Sequence, residues 1–305
     1  MASSGTNKVV VAALAFNGLI GLSKFVAAAV TGSAAMFSEA LHSTADTANQ
    51  GLLLLGIRRA RRPPDARHPF GYSKELYFWS FVVAVLLFSM GAAVSVYEGA
   101  QKLLRPHPLE SPMVNYAVLG VALIFELASW TIALRAFNAG RGQEDAIQAL
   151  RRSKDPALFT VLLEDSAAIV GIFIAFIGIL ATDFLGWIKA DAIASICIGL
   201  MLAWVAAFMS RETKSLLIGE AASPKVVEGV RQLIEAEAKA TGAIRRVHTI
   251  RTMHLGPEDI LLTVRIDFED SVSAARVEHI VGELEQTIRQ RYPEIRRLFL
   301  AAAGN

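Results

Sequence analysis

Residues 32–57 read GSAAMFSEALHSTADTANQGLLLLGI, and their reading decides the fold. A bilayer core of about 30 Å needs roughly 20 apolar residues in a helix. The part from Met36 to Ile57 is long enough, yet it holds Glu39, His42 and Asp46. An ionisable residue inside a span is costly and marks a functional position by default. His42 and Asp46 are four apart, so a helix sets them on one face, one turn from each other. An imidazole and a carboxylate on one face make half a site for a borderline divalent cation. The plainer alternative is a neutral histidine bonded to a structural aspartate. Glu39 shares that face nearer the end of the span, as an access residue or a snorkelling carboxylate.

Five further apolar stretches flank this one: Val9–Val30, Tyr77–Tyr97, Met113–Leu134, Ala157–Leu180 and Ile188–Met209. Six transmembrane helices are therefore expected, because a spanning segment must satisfy its own backbone hydrogen bonds. Composition agrees. Of 305 residues 53% are hydrophobic and 19% charged, and the mean hydropathy is +0.43. A wholly soluble or disordered chain is excluded. The single cysteine, Cys197, excludes a disulfide framework and a cysteine zinc cluster. A net charge of +2 gives no footing for nucleic acid. No cleavable leader is expected, since the first apolar stretch runs on into more of the same.

The short connections set the orientation. Arg58, Arg59, Arg61, Arg62, Arg67 and Lys74 lie between spans two and three, and Arg141, Arg151, Arg152 and Lys154 between four and five. The opposite connections carry Lys102, Arg105 and Lys189. Positive residues stay inside, so both termini are expected in the cytoplasm, in a bacterial inner membrane. Composition changes near Arg211. The last 95 residues hold 14 Lys+Arg and 14 Asp+Glu, against 16 and 14 in the first 210. The expected division is residues 1–210 in the membrane and 211–305 as a soluble domain.

That domain reads helix, strand, strand, helix, strand. Ser223-Pro224 opens a helix with Val226, Val230 and Leu233 on one stripe. Leu262, Val264, Ile266 and Phe268 alternate with Thr263, Arg265 and Asp267, so one face of that strand is buried. Ser273 caps a second helix, and a last strand starts near Ile295. Two helices on one face of a small sheet give a compact α+β (ferredoxin-like, αββαβ) module.

The other intramembrane ionisable residues are Lys24, Glu98, Glu126, Glu164 and Asp165. Adjacent helical residues point about 100° apart. Only one of Glu164 and Asp165 can face His42 and Asp46 squarely, and the other needs a partner such as Lys24. A buried ion pair that fixes helix packing is the alternative. Glu98 lies near a membrane face. Glu126 is deeper, a lone carboxylate that could serve a metal or a proton.

With these residues in order, the chain resembles the cation diffusion facilitator family, exporters of divalent metals in exchange for protons. The resemblance rests on His42-Ser-Thr-Ala-Asp46, on His68-Pro-Phe-Gly-Tyr72 between spans two and three, and on Ala190-Asp191-Ala192 opening span six. It covers nearly the whole chain. It implies six spans, a metal site shared by spans two and five, and a cytoplasmic domain that pairs two subunits into a homodimer. It also implies that the metal is transported substrate, with no separate cofactor. The implied ligands are His42, Asp46 and Asp165, with Glu164 or a water as the fourth. Counted back from Asp191, Asp165 takes the family's first span-five position, and Ile169 stands where an aspartate is usual. Two secondary family sites are eroded. Asp65 and His68 match one, but Tyr72 replaces a histidine. In the soluble domain His248 matches, but Arg265, Ala301 and Ala303 do not, and His254 and His279 are extra.

The expected function is a divalent metal exporter, zinc first, working as a metal/proton antiporter by alternating access across the lipid bilayer. Manganese, iron, cobalt or nickel are alternative cargoes, and a non-transporting metal sensor is an alternative role. A membrane enzyme is not expected, since no HExxH motif occurs and no serine or aspartate pair is set for hydrolysis.

Overall fold

The computed structural model describes residues 4–31, 34–105, 112–141 and 154–302; the side chains of 4–5, 27–31, 34–42, 45, 112 and 140–141 lie outside that description. Two compact units emerge, residues 2–214 and 215–305. The helices of the first unit are α1 (Ser4–Thr31), α2 (Ala34–Ala60), α3 (Glu75–Leu104), α4 (Pro112–Arg141), α5 (Pro156–Leu185) and α6 (Ala190–Ile218).

Among the described residues, α1, α3, α4, α5 and α6 carry stretches long and apolar enough to cross a membrane. The chain is a multi-pass membrane protein. At 27 residues, α2 would reach about 40 Å at 1.5 Å per residue. Length is not what sets it apart. Asp46, Asn49, Gln50, Arg58 and Arg59 dilute its apolar content. Five of the six expected spans thus coincide with helices of ordinary membrane character, and the stretch expected as the second is a more polar helix.

Helix ends follow local chemistry. Asp155 accepts from Leu158 N at the start of α5, and Pro156 follows it, where no N–H is needed. Gly186 closes α5 at φ 66°, a left-handed value that a β-carbon would oppose. Four residues later α6 begins. Within α3, residues Leu87–Ala92 form a π-helical segment.

α1 packs along α2, α2 meets the first half of α3, and α4 lies on α5 and α1. Val9, Leu53, Val83, Phe137 and Val161 are buried at the centre of this packing. The second half of α3 meets α6 at small residues, which let membrane helices approach closely. A β-carbon added at Gly199 would stand 2.6 Å from Val96 Cγ2 and 2.9 Å from the Ala92 carbonyl. One at Gly99 would stand 2.9 Å from the Ala192 carbonyl. Ser195 Oγ donates to Ser95 O at 2.9 Å across the same seam.

The second unit follows the order read from the sequence: α7 (Pro224–Thr241), β1 (Ile244–Gly256), β2 (Asp259–Phe268), α8 (Ala274–Arg291) and β3 (Ile295–Ala302). β2 is central, antiparallel to β1 and parallel to β3, so α8 is the crossover. Ser223 and Ser273 cap the two helices through Val226 N and Arg276 N. Val230 and Ile234 of α7 and Ile280, Leu284 and Ile288 of α8 join Leu262, Val264 and Ile266 in one core. The alternation of β2 fails at one residue. Asp267, expected on the open face, is only 5% exposed and lies 3.9 Å from His248 Nε2. A neighbour on β1 covers it, which the pattern of one strand cannot reveal.

The seam yields a test. Gly199→Ala forces a β-carbon against backbone and should destabilise the protein by about 1–3 kcal/mol. Gly18→Ala, where nothing lies within 4 Å, should be neutral or stabilising by roughly 0.5–1 kcal/mol. Thermal melting of both variants in detergent checks the difference.

Candidate functional site

Among the described residues, most buried polar side chains of the helical unit lie on α1, α2, α4 and α5, with Ser80 of α3 and Thr213 of α6 apart from them. On α2 the polar residues recur as Ser43, Asp46, Asn49 and Gln50, spaced three and four apart along one face. Ser43, Asn49 and Gln50 are buried and Asp46 half-buried. Asp46 is the thirteenth of 27 residues in α2. The helix is unbroken through His42, so its backbone position is one turn before Asp46 on that face. The side chains of His42 and Glu39 lie outside the described residues.

α5 brings two carboxylates to this face. Glu164 is 7% exposed and Asp165 1%. Asn49 Nδ2 donates to Glu164 Oε1 at 3.3 Å, and Gln50 Nε2 to Glu164 Oε2 at 2.8 Å. The partner of Glu164 is therefore this amide pair and not Lys24. Lys24, on α1, donates to Ser43 Oγ at 2.8 Å. The adjacent carboxylate is turned elsewhere. Asp165 is approached by Ser129 of α4 and feels the charge of Asp46. Glu126, half-buried on α4, interacts electrostatically with Asp165, Asp46 and Lys24. Ile169 follows Asp165 by one turn and adds no donor. Among the described residues no three His, Cys, Asp or Glu side chains converge closely enough to hold a metal.

What the geometry can do chemically is hold charge in a dry place. Among the described residues four carboxylates (Asp46, Glu126, Glu164 and Asp165) share this region with one amine, Lys24. Uncompensated buried charge is expensive, so protons or a cation must complete the balance. Asn49 and Gln50 escaped the reading of the sequence because it weighed ionisable residues and passed over amides. Their positions three and four residues after Asp46 were the available signal.

The other sequence candidates lie apart from this site. Asp65 Oδ1 accepts from Arg67 N at 2.9 Å and His68 N at 2.7 Å, and Tyr72 Oη donates to its Oδ2 at 2.7 Å. The rings of His68 and Tyr72 are 4.3 Å apart. The Tyr72 hydroxyl, with help from the two backbone N–H groups, holds the Asp65 carboxyl below the usual carboxylate range. The same bond, with the negative charge beside it, pushes the Tyr72 phenol up. In the second unit His254 is buried, with Nδ1 3.1 Å from the Gly256 carbonyl. His279 is exposed beside Glu283, and Arg265 and Ala301 are exposed. Ala303 lies outside the described residues.

Comparison with known proteins places these features in context. Residues 10–218 match the family described as the cation efflux transmembrane domain. The chain is 36% identical over 270 residues to the human protein named proton-coupled zinc antiporter SLC30A9, mitochondrial, covering 88% of this chain and 47% of that one. It is 31% identical over 302 residues to metal tolerance protein C4 of Arabidopsis thaliana, covering 98% and 63%. It is 26% identical over 288 residues to the cation-efflux pump FieF of Klebsiella pneumoniae, covering 94% and 89%. The chain spans about half the length of the human relative.

The Asp65–Tyr72 pair can be tested by titration. Tyr72→Phe removes the donor with the largest effect on Asp65, so the Asp65 pKa should rise toward its ordinary value. In the native loop a depressed carboxylate supports the turn above its free pKa and loses that support as pH falls through the lowered value. The phenylalanine variant should therefore lose loop order at a higher pH during acidification. Carboxyl chemical shifts of the two proteins against pH provide the readout.

Proposed function

We propose, from the premise that the chain belongs to the cation efflux family, that it exports a divalent metal, zinc first, in exchange for protons. The family is one of transporters and not of enzymes. The observation that carries the reading is the polar face of α2 set against Glu164 and Asp165 of α5, with the charge of Asp46 felt by both carboxylates. A site for a cation in hydrocarbon needs carboxylates held where water is scarce, and it must accept protons once the metal has left.

In this reading α2 is the sixth span, its polarity the mark of the site it carries. His42, Asp46 and Asp165 ligate the metal, and two carboxylates with one neutral imidazole balance M²⁺. Glu164, held by Asn49 and Gln50, is the fourth candidate ligand or the group that sets the shape of the site. The imidazole suits proton exchange because its charge changes near neutral pH. Metal binds from the arginine-rich side, the helices rock, and protons return, which is alternating access. Residues 1–210 form the transporting body, and 211–305 form a ferredoxin-like domain that pairs two chains on the cytoplasmic side. The bacterial inner membrane expected for the chain and the mitochondrion in the human relative's name have a standing proton gradient in common.

Transport of a metal panel by the purified protein in liposomes tests the cargo and the ligands together. Zinc should move with an opposing proton flux. His42→Ala and Asp46→Ala should abolish both fluxes. Asp165→Asn should be inactive, and Glu164→Gln should alter rate or pH dependence. Zinc moving at the normal rate in the His42 or Asp46 variant would exclude this site, and an inactive Glu164→Gln beside an active Asp165→Asn would exchange the two roles.

The homodimer has its own test. His248 lacks companions at Arg265, Ala301 and Ala303, so bridging metal should not be needed to join the subunits. Apolar contacts then hold the pair, with help from the arginines at 58, 59, 61 and 62. Mass measurement in detergent with a strong chelator should return a dimer, and a clean monomer would refute it.

A further inference from the structure

We infer that the end of α2 carries a binding site for the phosphate of an anionic phospholipid, a site separate from the ion pathway. Leu55, Arg58, Arg59 and Arg62 line a cavity of about 400 Å³. Their spacing is i, i+3, i+4 and i+7, so they form one stripe along the last turns of α2 and just beyond it. The stripe is ordered by polarity. Leu55 lies one turn deeper, and the guanidiniums lie outward.

The bland reading is that arginines at a helix C-terminus serve the helix itself. Its dipole places about half a negative charge there, and one or two cations answer it. Four arginines between 58 and 62 exceed that need several-fold. Local carboxylates do not absorb the rest. Glu75 Oε2 already accepts from Trp79 Nε1 at 2.8 Å, and Arg59 Nη1 reaches it only at 3.9 Å. Arg59 Nε is buried with no acceptor. Among the described residues neither Arg58 nor Arg62 joins an ion pair. Three guanidiniums thus border one cavity with a single, shared carboxylate beside them. A phosphodiester offers acceptor oxygens that guanidinium groups recognise well.

Depth argues for lipid over free phosphate. Arg59 Cζ lies 5.5 Å from the ring centre of Trp79. Trp79 lies in the second turn of α3, and tryptophan collects at headgroup level. Leu55 supplies an apolar wall for the glycerol and upper acyl chain. Clusters of arginine beside a membrane helix on the positive side are suited to anionic headgroups.

Native mass spectrometry of the delipidated full chain, titrated with phosphatidylglycerol, phosphatidylcholine or inorganic phosphate, decides the matter. The wild type should retain phosphatidylglycerol in preference to phosphatidylcholine, and inorganic phosphate at equal concentration should not displace it. The double variant Arg58→Gln/Arg62→Gln should bind phosphatidylglycerol about 30-fold more weakly. Arg58→Lys/Arg62→Lys should keep most of the affinity, and Lys225→Gln/Arg276→Gln, in the other unit, should keep all of it. If the double glutamine variant fails to fold, each single glutamine variant should show about fivefold weakening. Equal retention by wild type and glutamine variants, or equal retention of the two lipids, would overturn the site. Displacement by inorganic phosphate would overturn the lipid as its occupant.

Discussion

The cost of holding carboxylates in hydrocarbon governs this protein. Each of Asp46, Glu126, Glu164 and Asp165 could be replaced by an apolar residue with a gain in membrane compatibility. The chain keeps them and gathers them on three of four helices that also bring polar side chains to the site. Glu164 meets two amides from α2, and Asp165 meets a serine from α4. This requirement fixes the rotation of α5. With Glu164 held by α2, the next residue must point about 100° away. It also explains why α2 is the least membrane-like of the six helices. A helix that supplies donors and carboxylates to a buried site cannot also be uniformly apolar.

The second unit obeys a simpler rule. Its strands alternate, its helices are capped by serines, and its core is aliphatic. It is a compact unit of its own, three strands and two helices around one core. The chain divides at a change in chemistry that counting charges detects, because lipid and water select opposite surfaces.

Much of the fold was legible for that reason. Apolar runs located the helix starts to within about five residues and left some ends short, as for the sixth, expected over Ile188–Met209 and found over Ala190–Ile218. Period-two alternation gave the buried side of β2, and Ser223 and Ser273 marked helix starts. What escaped depends on contacts between elements. Asp267 is buried by a neighbouring strand, and the partner of Glu164 is fixed by the rotation of α2, which no single helix encodes. The 100° angle between Glu164 and Asp165 was readable, and the identity of the residues each would meet was not. The loop motif around Asp65 was readable as residues, yet its closure by Tyr72 is a matter of side-chain reach.

The π-helical segment at Leu87–Ala92 has a consequence for how α3 is used. Before it, Leu76, Ser80 and Val83 are buried, and α2 packs against this half of the helix. From its last residue, Ala92, onward, Val96 and Gly99 are among the residues that meet α6. A straight α-helix would carry a single seam along its length and so commit to one neighbour. The wider turn takes up an additional residue, which advances the side-chain register by about one position. It works as a phase shift. One continuous helix thereby serves two packing partners in succession, with no proline, no break in the chain and no loss of its span across the membrane.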